Sequence, residues 1–211
     1  MSGLFLITAV LVLAFPQGLH RYRVPGPVLD SIVERLPAGT SRTEIRDLID
    51  TCGLPRMAIL PPRPDDPLQS RLVAHLSRQL APRGIQVVDG EDHQARQARQ
   101  ADLVYSETGN SEIATRILLA EQGDYGLSWS LEIDIDGPTM LYGIETWEAT
   151  AAGRFRLQDL RQERELATAE VREQARQQLR ERAINDAIQL MASELATDLV
   201  DPILTSWFAA T

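Results

Sequence analysis

Glu132, Asp134 and Asp136 alternate with Leu131, Ile133 and Ile135, a spacing that sets three carboxylates ~7 Å apart along one face of a strand. Oxygens converging there could hold calcium. The outer face of a half-buried strand is carboxylate-rich for solvation alone, however, and no flanking loop supplies the carbonyl ligands of a calcium motif, so no metal is assigned. The rest of the reactive inventory is small. His20, His75 and His93 fall in three separate segments, and none stands at a spacing from Ser, Cys or Asp that would build a triad. His75 and His93 read as surface histidines. Cys52, the one cysteine, can form neither an internal disulfide nor a Cys-rich zinc site, and at a helix end it reads as a small buried residue rather than a nucleophile. All 21 basic residues are arginine, which removes Schiff-base lysines, the phosphate-loop lysine and a lysine general base together. Neither common glycine-rich phosphate loop is present, so no cofactor is assigned and an enzyme is not expected.

Composition agrees. The 211 residues are 44% apolar and 24% charged, which suits one medium domain, or a smaller one with a tail. The formal charge of -9 gives the chain no electrostatic reason to seek phosphate backbones, and no nucleic-acid partner is expected. Leu4 to Phe15 (LFLITAVLVLAF) is almost wholly apolar and stops at Pro16. That length suits a signal-peptide core better than the ~20 residues needed to span hydrocarbon. Val12 and Ala14 form a small-residue pair of the kind a signal peptidase cleaves, an uncleaved anchor is the alternative, and a plain buried segment is the third. Arg21 and Arg23 follow the run and none precedes it, which favours the opposite orientation. Cys52 lies in LIDTCG, after charged residues and far from the run, so it is no lipid-attachment position. Residues 1–16 are thus expected to be a signal peptide or membrane anchor, 17–53 a linker with short helices, and 54–211 an α/β domain.

The elements that would position these residues follow from periodicity. Val28 to Leu36 allows a short helix. Thr40 to Thr51 reads as a second, opened by a capping box between Ser41 and Glu44 and stopped by Gly53 and Pro55. Arg56 to Leu60 is a strand, ended by Pro61, Pro62 and Pro64. Asp66 caps a helix with Pro67 at its first position and Leu68, Leu72, Val73, Leu76 and Leu80 at helical spacing, up to Gly84. Ile85 to Val88 is the next strand, and strand, helix, strand makes a parallel crossover unit. Gly90 to Gln100 reads as a solvated helix and Ser111 to Gly123 as another. From Tyr125 to Asp136 the chain alternates without a break, and Asp136-Gly137 is expected to turn it into a return strand over Thr139 to Thr150. Trp129 and Trp147 would be core or cross-strand partners. Gly153 reads as a turn, with Phe155 and Leu157 in a third short strand.

From Leu160 to Val200 only helix formers occur, and Ala167, Val171, Ala175, Leu179, Ala183, Ala187, Met191, Leu195 and Leu199 recur every fourth residue. A single long helix is expected. Its first half, with Arg161, Arg164, Arg172, Arg176 and Arg180, carries too thin an apolar stripe to be a core face, so it projects toward a partner or pairs with a second copy. Trp207 and Phe208 form either a docking tail or a flap over the core. The expected class is α/β (α+β): a mixed sheet with a βαβ unit, an antiparallel hairpin and a long C-terminal helix.

The run PRMAILPPRPDDPLQSRLVAHLSRQLAPRGIQVVD, and SEIATRILLAEQGDYGLSWSLEIDIDG after it, resemble the domain shared by TolB amino-terminal regions, CsgG, LpoB and FlgT, over about Leu54 to Gly153. DPLQSRLVAHLSRQLAPRGIQVVD, GDYGLSWSLEIDI and the helix from Leu160 are also similar to the lipopolysaccharide-assembly lipoprotein LptE. Both resemblances imply a periplasmic α/β domain that works by binding an envelope partner and has no catalytic set; with the apolar run exporting it or anchoring it in the inner membrane through residues 4–15, the expected role is to bind an envelope protein in assembly or secretion. The second implies the alternative of a lipid-handling component, with a cavity between Trp129, Trp147 and the helix from Ile184 to Leu195.

Overall fold

The computed structural model describes residues 24–60, 66–88 and 123–210. The apolar run, His20, His93, the proline cluster and the helices expected over 90–100 and 111–122 lie outside them. Helix α1 covers Gly26–Val33 and α2 covers Arg42–Cys52. The latter starts with the expected capping box: Ser41 Oγ accepts from the Glu44 amide at 3.2 Å, and the Glu44 carboxylate accepts from the Ser41 amide at 2.7 Å. That exchange satisfies two helix-end donors and holds the Glu44 carboxyl below its ordinary value.

Strand β1 (Arg56–Leu60), helix α3 (Pro67–Leu80) and strand β2 (Gln86–Val88) form the crossover unit, with β1 and β2 parallel. Asp66 caps α3 through the Leu68 amide at 2.9 Å, and Pro67 stands where its missing N–H has no intrahelical acceptor to lose. At the far end Gly84 takes φ +84, and a Cβ there would lie 2.4 Å from the Ile32 side chain. Glycine is thus needed twice, for the left-handed backbone and for the close approach of α1.

Strand β3 (Tyr125–Leu141) pairs parallel with β1 from Tyr125 to Ser128 and antiparallel with β4 (Ile144–Asp159) along nearly its whole length. Strand β5 (Arg164–Gln177) pairs antiparallel with β4, which gives the order β2-β1-β3-β4-β5. Helix α4 (Arg180–Ala209) lies across β3, β4 and β5, with α3 beside it. The α/β class, the mixed sheet, the βαβ unit, the hairpin and a long C-terminal helix are all present.

Three expectations are corrected. The segment from Arg164 to Gln177 is a strand, not the first half of the helix. Ala167, Ala169, Val171 and Ala175 face inward while Thr168, Glu170, Arg172, Gln174 and Arg176 face out. A repeat of four is two pleats of a strand as well as roughly one helical turn, so the stripe fitted both periods. Pairing with β4 decides it: Glu170 stands opposite Arg154 and Arg176 opposite Glu148, each bridged, with Arg154 Nε to Glu170 at 2.8 Å. Secondly, the hairpin turns at Tyr142-Gly143, while Asp136 to Thr139 is a bulge around Gly137-Pro138. A proline after the glycine cannot donate to the ladder, so the chain kinks and continues. Thirdly, Gly153 lies inside β4, and Phe155 and Leu157 belong to that same strand. A Cβ on Gly153 would meet the Phe155 ring at 2.7 Å, so the residue marks ring packing rather than a reversal.

The core lies between α4 and the inner faces of β3, β4 and β5. Leu127, Trp129, Phe155, Leu157 and Val171 meet Ala187, Met191, Leu195 and Leu199 there. Trp129 stands opposite Phe155, with ring centroids 6.5 Å apart. Trp147 is half-buried further along β4, opposite Gln177, so the two tryptophans are not cross-strand partners of each other.

Candidate functional site

The base of the β3-β4 ribbon holds buried polar groups. Asp124 and Asp159 end the two strands, Tyr125 stands opposite Asp159 in the ladder, and Ser206 reaches them from α4. The Asp124 carboxylate accepts from the Arg56 amide at 2.9 Å and is bridged by the Arg161 guanidinium, with Arg56 at 3.6 Å. Its own N–H donates to the Arg56 carbonyl at 2.8 Å and its carbonyl accepts from the Leu160 amide at 3.0 Å. One residue therefore ties β1 to the β4-β5 turn. Asp159 accepts from the Arg161 and Gln162 amides at 3.0 and 2.9 Å, the geometry of an Asx turn, and from Ser206 Oγ at 3.0 Å.

Burial is the main reason that the Tyr125 phenol is pushed up to about 12. A hydrogen bond with Ser206 lowers it, the Asp159 and Asp124 charges raise it, and Arg161 lowers it again. Every carboxylate in the cluster is engaged by main-chain amides or guanidinium groups, which makes it a clamp on the turn rather than a general acid-base pair. Asp124, Asp159 and Ser206 carry no local sequence signal. Their partners lie at sequence separations of up to 68 residues.

His75 is buried, against the surface reading. Its Nδ1 accepts from the Arg78 guanidinium at 2.8 Å, which leaves Nε2 to donate to Asn185 Oδ1 at 3.3 Å. The ring thereby joins α3 to α4, a role visible only once the two helices are side by side. Arg71 and Glu181 bridge the same helix pair at 3.2 Å. Cys52 is exposed at the end of α2, where a buried residue had been expected. Glu132, Asp134 and Asp136 stand exposed on the outer sheet face, and among the described residues no group of three or more His, Cys, Asp and Glu could hold a metal.

The expected partner surface is rearranged. Arg161 lies in the β4-β5 turn, Arg164 begins β5, Arg172 and Arg176 point outward from it, and Arg180 is the first residue of α4. All five are exposed, but a strand ladder and a turn carry them, not a projecting half-helix. Arg161 and Arg176 are engaged, with Asp124 and Glu148 respectively. Ser130, Ala152, Arg154, Glu170 and Arg172 border a shallow groove of about 700 Å³ on this outer face. Trp207 is buried in the core and Phe208 packs partly buried against it, so the pair closes over the domain and does not form an exposed docking tail. On the inner face, where α4 packs against β5, Glu173 shares a hydrogen bond with Glu194; that bond, with desolvation and the like charge, holds the Glu194 carboxyl above its ordinary value.

The opposite end of the ribbon was absent from the expected sites. Met140, Leu141, Tyr142 and Ile144, at the turn between β3 and β4, are all exposed. The sequence signal existed in Met140, Leu141 and Ile144 around a Tyr-Gly pair, but placing the turn at Asp136-Gly137 made them part of a strand.

No family model matches the chain, and no curated protein matches it. Solved structures of similar shape include lipoprotein GNA1162 from Neisseria meningitidis, at 14% identity over 68% of this chain and 99% of that one, with a TM-score of 0.41. The hypothetical protein CT253 from Chlamydia trachomatis is 16% identical over 75% of this chain and 99% of that one, TM-score 0.39. A minor lipoprotein from Acinetobacter baumannii is 11% identical over 72% and 91%, TM-score 0.34. Likenesses at this level assign neither a family nor a function to the chain.

Proposed function

We propose that the chain is a non-enzymatic accessory protein of the cell envelope, placed in the periplasm or anchored in the inner membrane facing it, that binds a protein partner in envelope assembly or secretion. The reading rests on the apolar run Leu4 to Phe15 standing ahead of a domain whose buried ionisable groups hold the fold together. Asp124 and Asp159 fasten the strand ends and His75 fastens two helices. What the domain offers outward is a sheet face of Arg and Glu and an apolar hairpin tip, which are means of contact rather than of bond making.

The test is the intact mass of the native protein together with its protease accessibility in cells before and after the outer membrane is opened. A mature chain beginning after Ala14, or a full-length chain digested only once the periplasm is reached, is the expected result. A domain that stays protected until the inner membrane is broken overturns the envelope placement.

A further inference from the structure

The tip of the β3-β4 ribbon inverts the ordinary distribution of side chains. Tyr142 is 96% exposed and Met140 67%, with Leu141 and Ile144 beside them. Strand β5 pairs with β4 only as far as Trp147, so the residues beyond it project as a two-stranded ribbon. Scattered single apolar side chains on a surface are unremarkable, but four at one turn are not.

The turn itself supplies a second, independent observation. Tyr142 takes φ +51 and Gly143 φ +80, the two positive values of a tight hairpin turn that favours Asn-Gly. A bulky aromatic residue in the left-handed region is strained, and its ring is almost wholly exposed. The positive φ closes the hairpin, as the same value at Glu163 closes the next turn, but the turn calls for no aromatic side chain, and an almost wholly exposed ring points to a use outside this chain.

Charge selects among occupants. Between Ser130 and Gly153 the sequence has no basic residue and five carboxylates; Arg176 of β5 bridges Glu148, which leaves Glu132, Asp134, Asp136 and Glu145 to set the sign. An apolar tip on an acidic stalk is repelled by an anionic lipid surface, and it complements an apolar recess rimmed by basic residues. We infer that the Met140–Ile144 tip is the docking element for a separate protein, inserting Tyr142 into an apolar recess bordered by Arg or Lys. This deepens the accessory-protein reading and rests on it, because it names which surface meets the partner.

The test places a photo-crosslinking amino acid at position 140, 142 or 144 of the full chain in living cells, with position 181 on α4 as a control. The expected result is one adduct of the same protein mass from all three tip positions and not from the control. Asp136→Arg with Glu145→Arg should reduce its yield about tenfold or more, since like charges facing across an interface suppress association. Circular dichroism of that variant must match the parent, and Tyr142→Asn, which suits the turn, should lose the adduct while remaining folded. In parallel, flotation with phosphatidylcholine vesicles, with and without phosphatidylglycerol, should leave the protein at the bottom of the gradient. Binding to vesicles, an adduct of twice the chain's own mass, or a yield that survives both variants overturns the inference. Adducts at position 181 but none at the tip overturn it and leave the accessory role standing. No adduct at any position removes both.

Discussion

The two ends of the β3-β4 ribbon treat polarity in opposite ways. At the base, Asp124, Asp159 and Ser206 are buried, and each is held by a named donor or acceptor. At the tip, Met140, Leu141, Tyr142 and Ile144 lie in water. Burying a carboxylate requires partners positioned to satisfy it, and exposing apolar groups forgoes the burial that stabilises a fold. The base therefore serves the fold directly, whereas the tip withdraws stabilisation from it. A pair of strands with these two ends couples a rigid clamp to a projecting contact surface.

Removing the clamp should have the largest effect. Asp159→Ala leaves the Arg161 and Gln162 amides and Ser206 Oγ without their acceptor, and a loss of about 3 kcal/mol is expected in urea unfolding monitored by tryptophan fluorescence. A loss below about 0.5 kcal/mol, the size of an ordinary surface change, would show that water replaces the carboxylate and that the base is no more committed to the fold than the tip.

Titration sharpens the same contrast with a smaller effect. Tyr125 ionises near 10 when unfolded and about 12 when folded, so the unfolded chain releases its proton first. The phenol's contribution is fully present below pH 10 and is lost as the pH rises toward 12. Stability should decline by on the order of 1–2 kcal/mol over that interval, and Tyr125→Phe should flatten the decline. An unchanged slope in the variant would assign the alkaline loss to other groups.

The smallest effect has the opposite sign. Tyr142→Asn puts a residue tolerant of the left-handed region into the turn and should raise stability by about 1 kcal/mol, read as a higher urea midpoint with an unchanged m-value. A destabilised variant would mean that the tyrosine ring packs within the chain, and the opposition between the ends would fail.

Much of the architecture was legible because it is local. The Ser41-Glu44 box, Asp66-Pro67 ahead of α3 and the unbroken alternation from Tyr125 to Asp136 each fix an element from its own residues. Strand β5 was illegible because Arg, Glu, Gln and Ala suit a helix intrinsically, and only the ladder to β4 overrides them. The turn before it gave no glycine signal, since Glu163 adopts φ +51 in its place. The candidate sites were less legible than the fold. The five arginines share the neighbourhood of β5, but Trp207 is core and the exposed tip was hidden by a bulge read as a turn.

Strand β3 is the seam between the parallel and antiparallel parts of the sheet, and that position bears on how the chain finds its fold. Joining β3 to β4 closes a loop of residues 142 and 143, and joining β4 to β5 closes residues 160–163. Joining β1 to β3 must bring together segments separated by residues 61–124. Loop-closure entropy grows by about 0.6 kcal/mol for each doubling of length, and distant contacts slow folding. The entropic order thus runs from the carboxyl-terminal meander outward, with the crossover unit docking onto a frame whose receiving edge is only the first four residues of β3.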